Sequence, residues 1–277
     1  MSASRGPAAS SREKLSRAGE HIERLLEEIE AFFSGFFLPE AKYKLTFEST
    51  DEPRSVGVSG NAIPQMYMKL PIPELRWGVL VGDAVHNLRS ALDNAVEGLT
   101  VARLGAPLPR TCFPIFDDRE GFHRRTRAGA PAPGSGLAAI RGLSEAAADV
   151  VKHAQPYNAV RAAAHPLWLL YQLSNIDKHR VPAVVAMYGE LPGVGLVDEA
   201  ASDNADERVE ILPFHQGLEQ AIAVQRGDAS EGRKLRLELS FETLFGVGPA
   251  EGEPVVPTLK ALRDEVARIL DELERVG

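Results

Sequence analysis

Between Pro73 and Gly105 the chain is committed to one long helix, and the rest of the sequence has to be arranged around it. Apolar residues fall at Trp77, Val81, Ala84, Val85, Leu88, Ala91, Leu92, Ala95, Val96 and Leu99. This is the i, i+3, i+4, i+7 spacing that lays one continuous apolar stripe along an α-helix. Pro71 and Pro73 precede the run, and Gly105 and Pro107 close it, as ordinary start and stop signals do. The rest of the surface is unusually polar for a core helix: Asp83, His86, Asn87, Arg89, Ser90, Asp93 and Asn94. At about 100° per residue, Asp83, Asn87, Ser90 and Asn94 line one flank of the stripe, and His86, Arg89 and Asp93 the other.

Three further helices carry the same periodicity. From Ser11 to Phe37, Leu15, Ile22, Leu25, Leu26, Ile29, Phe32 and Phe33 repeat at helical spacing, with Glu13, Lys14, Arg17, Glu20, Glu23 and Arg24 opposite. Residues 1–9 are small and polar and are expected to be disordered. Pro166 to Arg180 is apolar for two turns and then abruptly polar, ending at Val181-Pro182. Pro257 to Val276 is apolar at Leu259, Leu262, Val266, Ile269, Leu270 and Leu273, a terminal helix expected to fold back on the others.

Period-two alternation predicts strands at Tyr43–Phe47 and Met66–Leu70, forming a hairpin. It also predicts strands at Val184–Met187, Val209–Pro213, Ala221–Gln225 and Leu235–Phe241. Pro107 to Gly136 is rich in Pro, Gly and Arg. It reads as a surface loop docked through Cys112-Phe113-Pro114-Ile115-Phe116, followed by a mobile stretch from Arg127 to Gly136. Short helices follow at Leu137–Leu143 and at Ser144–His153, the latter with Ser144 as N-cap. The expected fold class is α+β in a single domain over 1–277. Helices at about 11–37, 73–105, 166–180 and 257–276 form a bundle packed with an antiparallel β-sheet, whose strands fall at about 43–70 and 182–242.

Composition narrows the function classes. In 277 residues, 44% are hydrophobic and 25% charged, as in ordinary soluble globular proteins. A formal net charge of −8 opposes general affinity for nucleic acid, which needs clustered Lys and Arg. Local basic clusters do exist, at Arg119 to Arg127 and at Lys178-His179-Arg180. Cys112 is the single cysteine, which excludes an internal disulfide and a thiolate zinc cluster. No run of about 18 apolar residues predicts a membrane span, and the N-terminus lacks a signal-peptide core. The protein is expected in the cytoplasm, away from membranes.

Two polar constellations carry any chemistry. Asp83 and His86, joined by Asp177 and His179, would supply four ligands to a metal. The plainer alternative is ordinary hydrogen bonding, and no metal or cofactor is expected. Arg89 and Asp93 are four apart and can pair along the helix. Asn87 and Asn94 sit at the stripe's edge, where buried amides need partners on a facing helix. The run Asn175-Ile176-Asp177-Lys178-His179-Arg180 concentrates five polar types at a helix end. The helix dipole favours cations there by ~0.3–1 kcal/mol each, but gives no reason for the Asn or the His. If the two runs meet, they form a pocket with Arg and Lys for phosphate charge and His for proton transfer. No Gly-rich phosphate loop, Gly-x-Ser-x-Gly or His-Glu-x-x-His signature is present.

The runs His86-Asn87-Leu88-Arg89-Ser90-Ala91-Leu92-Asp93-Asn94 and Asn175-Ile176-Asp177-Lys178-His179-Arg180 resemble a family of bacterial proteins with "HNLRSALDH" and "NIDKHR" helices, with Phe113-Pro114-Ile115 between them. Those helices are in turn similar to the HEPN superfamily, helical bundles that often act as metal-independent ribonucleases. Their signature is an Arg and, a short spacer later, a His on one helix, with two protomers pairing to build the site. Arg89 fits, but Asn94 stands where the His belongs, and an amide cannot shuttle a proton as imidazole does. The resemblance implies an RNA-cleaving or RNA-binding homodimer of a toxin or phage-defence type. Arg89 would stabilise the cleaved phosphate and His86 or His179 would move protons. Lys178 and Arg180 would hold RNA backbone, with Asn87, Asn94, Asn175 and Asp177 orienting groups. The rival reading is a non-catalytic module binding a ligand or partner, in which the same groups form a structural network. A metal-dependent hydrolase through Asp83, His86, Asp177 and His179 is the third.

Overall fold

The computed structural model describes residues 7–34, 47–49, 65–69, 75–177, 184–188, 219–223, 241–246 and 248–277. Its helices are α1 (Pro7–Ser34), α2 (Leu75–Leu104), α3 (Arg119–His123), α4 (Gly136–Ala139), α5 (Glu145–His153), α6 (Pro166–Asp177) and α7 (Val255–Val276). Its strands are β1 (Phe47–Ser49), β2 (Gln65–Lys69), β3 (Val184–Tyr188), β4 (Glu219–Ala223) and β5 (Phe241–Phe245). The chain divides into two compact units. The first comprises Met1–Glu28, Glu74–Val184 and Leu244–Gly277, the second Ile29–Pro73 and Val185–Thr243.

The first unit is helical and α2 is its axis. The stripe expected from the sequence is buried: Trp77, Val81, Ala84, Val85, Leu88, Ala91, Leu92 and Val96 are almost entirely covered. α2 packs on α6 and α7, and α7 packs on α5 and α6. α7 contributes Leu259, Leu262, Val266, Ile269, Leu270 and Leu273, all buried. Ion pairs give the direction of α1. Arg76 on α2 meets Glu28, while Arg12 meets Asp271 and Glu274, and Lys260 meets Glu23. α1 therefore runs antiparallel to both α2 and α7. These pairs are largely exposed and each is worth about 0–1 kcal/mol. A fully buried Leu, Ile or Phe is worth about 1.5–3 kcal/mol, so the apolar stripes hold the bundle and the charges select its register.

The expected helical bundle is found, with shifted ends. α1 starts at Pro7, inside the segment expected to be disordered, and α6 is described only to Asp177. Among the described residues the first unit holds no sheet of its own, so the antiparallel sheet expected to pack with the bundle is not supported. In the second unit, β2 pairs antiparallel with β1 and β4, placing Met66 opposite Ser49 and Ile222. β5 begins at Phe241, where the expected strand ends; Leu235 to Ser240 and Val209 to Pro213 lie outside the described residues. Alternation marks an extended segment with two faces but names no partner, and sheet pairing is decided by partners distant in sequence.

The stretch expected to be mobile, Arg127 to Gly136, folds back on itself. The Thr126 N–H donates to the Ala130 carbonyl and the Ala132 N–H to the Arg124 carbonyl. Arg124 and Arg125 donate to the Pro133 and Gly129 carbonyls. Ser135 and Ser144 cap α4 and α5, accepting from the Ala138 and Ala147 N–H groups.

Candidate functional site

α2 places Arg89 and Asp93 one turn apart and facing the loop that follows the helix. Asp93 Oδ1 accepts from Arg89 Nη2 at 2.9 Å and from the Phe113 N–H at 2.9 Å. Arg89 Nη2 also donates to the Phe113 carbonyl at 2.6 Å. Both backbone groups of Phe113 are thus held by one ion pair, and the Phe113 ring is fully buried. Three residues on, a second grip closes. Gln155, just after α5 and 1% exposed, donates through Nε2 to the Pro114 carbonyl at 2.9 Å and accepts on Oε1 from the Phe116 N–H at 3.0 Å. An extended segment with no neighbouring strand must satisfy its buried N–H and C=O groups some other way. Here side chains from α2 and the end of α5 do so.

The other polar residues of α2 face α1 or solvent. Asn87 accepts from Lys14 Nζ at 3.2 Å and donates to the Asp83 carbonyl at 2.8 Å. Asn94 donates to Ser10 Oγ at 2.9 Å. His86 is exposed and lies 3.5 Å from Ser90 Oγ. Asn175 is half-buried on α6 and is engaged in a contact of its own. The Asp177 side chain, Lys178, His179 and Arg180 lie outside the described residues. The pocket expected where the two polar runs meet therefore lies partly outside them too. Among the described residues no three His, Cys, Asp or Glu side chains gather as a metal site requires.

The loop wall borders a groove of about 850 Å³, reached by Arg89, Arg110, Cys112, Phe116, Trp168 and Tyr171 among others. On the α6 side Trp168 and Tyr171 stack with centroids 5.2 Å apart and planes at 24°. Opposite, Arg110 adopts φ of 61°, a left-handed conformation uncommon for a residue with a Cβ. Its guanidinium has no partner among the described residues. Arg141 donates to the Ala138 and Pro109 carbonyls at 2.9 Å each, which leaves its charge unneutralised. Burial pushes the Cys112 thiol upward, Asp93 adds to the rise and Arg89 opposes it. The thiol is therefore protonated at neutral pH and is a poor nucleophile.

Two histidines are tuned downward. His123 is lowered first by burial and then by Arg119, Lys152 and Arg125. It sits 3.3 Å from the Tyr157 hydroxyl, with Phe122 against both rings. His165 is lowered first by burial, with Arg268 assisting and Glu265 opposing. Its Nδ1 accepts from the Leu167 N–H at 3.2 Å, at the first turn of α6.

No family model, curated protein or solved structure matches the chain. Sequence reasoning singled out Arg89 and Asp93 and expected them to pair, but not their shared hold on Phe113. Gln155, Arg110 and the Trp168–Tyr171 pair were not singled out. For Gln155 the sequence offers only an amide after a helix end, and its partners lie 39 and 41 positions away.

Proposed function

We propose that this chain is a non-catalytic binding module in which the polar run of α2 is a structural network shaping a ligand groove. The observation that carries the reading is the double hold of Arg89 and Asp93 on Phe113. Both bonds run through Arg89 Nη2, and its buried Nη1 has no partner among the described residues. The charge itself is neutralised by Asp93, which weakens its pull on a developing phosphate charge. The groove it borders has the size, apolar walls and few polar groups typical of small-molecule sites. Asn87 and Asn94 are likewise spent on α1, setting its register against α2.

The second reading is a HEPN-like, RNA-cleaving homodimer, favoured by the exposure of His86 one turn before Arg89. The two part on one experiment: incubation of total cellular RNA with the protein in excess EDTA, alongside Arg89→Ala and His86→Ala, with urea unfolding of each. The binding-module reading expects no cleavage that depends on either residue, and a loss of about 1–3 kcal/mol of stability in Arg89→Ala. Cleavage that both variants lose at unchanged stability would replace it with the ribonuclease.

A further inference from the structure

We infer that the groove takes a small planar molecule bearing a single acidic group, an aryl carboxylate, with its ring on the α6 side and its carboxylate at Arg110. The inference rests on the binding-module reading and names the ligand class.

Three independent observations carry it. The first is charge. Arg89, Arg110 and Arg141 reach the groove against one carboxylate, Asp117, in a chain whose formal net charge is −8. Asp93 neutralises Arg89, so the surplus resides on Arg110 and Arg141, both exposed. A basic patch on an acidic protein selects and steers anions. The second is backbone conformation. Arg110 holds φ of 61° as the third residue of a turn that the Thr111 N–H closes on the Leu108 carbonyl at 3.4 Å. Its guanidinium has no partner among the described residues, and non-glycine residues in this conformation cluster where a ligand is held. The third is shape. Trp168 and Tyr171 lie nearly parallel, and Tyr171 is 37% exposed. A large aromatic left open beside an apolar groove offers a flat face for another ring.

The same lining disfavours more highly charged or hydroxylated ligands. Of its hydroxyl groups, Ser135 Oγ is buried and spent on capping α4. The walls next to Arg110 and Arg141 are Pro109, Pro131 and Pro133, and proline has no N–H to donate to phosphate or sugar. A guanidinium fork pairs a carboxylate in two parallel hydrogen bonds, so one acidic group suffices.

The test is calorimetric titration of the intact chain with 2-naphthoate, its uncharged counterpart 2-naphthamide, and the non-aromatic acid octanoate. Each is repeated on Arg110→Gly and Trp168→Leu. Cys112, the only thiol and part of the lining, locates the ligand through protection from a thiol reagent. The expected result is 2-naphthoate binding below roughly 1 mM, with the other two probes at least roughly tenfold weaker. Both variants should lose roughly tenfold, and 2-naphthoate should slow Cys112 labelling. Equal binding of naphthamide, indifferent to Arg110→Gly but still protecting Cys112, would overturn the acid class and leave the binding module standing. No binding and no protection by any probe would overturn both.

Discussion

The two walls of the groove are held by different physics. The loop wall, Phe113 to Phe116, has no secondary structure of its own, and its backbone is fixed by Arg89, Asp93 and Gln155 reaching in from helices. The opposite wall is a helix, α6, held through buried Leu167, Leu170 and Leu173 and started by a histidine that accepts a hydrogen bond from its first turn. The first wall depends on a few polar groups, each with a large individual effect. The second depends on many apolar contacts and one titratable cap. Directional bonds place a loop accurately but concentrate its stability in single atoms, whereas burial spreads stability over a surface.

That contrast orders the expected effects of substitution. Gln155→Ala comes first: it orphans the Pro114 carbonyl and the Phe116 N–H and opens a cavity, at a cost of about 3–4 kcal/mol. Urea unfolding measures it, and a loss below about 1 kcal/mol would show that the loop wall does not need this grip. Asp93→Ala follows, because it leaves a guanidinium that is only 19% exposed and the Phe113 N–H without their acceptor. Solvent reaches Asp93 itself, so about 2–3 kcal/mol is expected. Arg110→Gly has the opposite sign. Relief of the left-handed backbone should stabilise the fold by about 1 kcal/mol, seen as a melting point raised by about 2–4 °C, even as ligand binding weakens.

Acidification acts through His165 at the start of the helical wall and through His123 beside Phe122 and Tyr157, and has the smallest effect. His165 and His123 have pKa values below the ordinary value of about 6.5, so the unfolded chain binds more protons in that interval. Their contribution is complete above about pH 6.5 and is lost as the pH falls below it. A protonated His165 Nδ1 cannot accept from Leu167, so amide exchange in the first turn of α6 should quicken below that pH. The Phe113 amide donates to Asp93 and has no histidine partner, so it should keep its protection as the histidines charge.

The helical frame was legible because burial leaves a period in the sequence: the stripe from Trp77 to Val96 and the one from Leu259 to Leu273 are the buried faces. The Arg89–Asp93 pair was legible for the same reason, since helical spacing alone brings the two together. Their hold on Phe113 was not, because a side chain bonding a backbone group far along the chain requires no particular residue there. Gln155 illustrates this most clearly, for its carbonyl partner is a proline and its N–H partner a phenylalanine. Arg110 was hidden differently: a left-handed backbone is signalled by glycine or asparagine, and this position carries neither. The strand expected at Leu235–Phe241 meets β5 at Phe241, and its remaining residues lie outside the described ones.

The most direct measurement is the rate of Cys112 labelling by a thiol reagent in the parent and in Arg89→Met, under conditions where both stay folded. Arg89 favours the thiolate of Cys112, so its removal would by electrostatics alone slow the reaction. If Arg89 holds the loop wall through Phe113, the variant should instead label at least several-fold faster, because the neighbouring backbone is released. An unchanged or slower rate would contradict the account and return Arg89 to the list of residues waiting for a substrate.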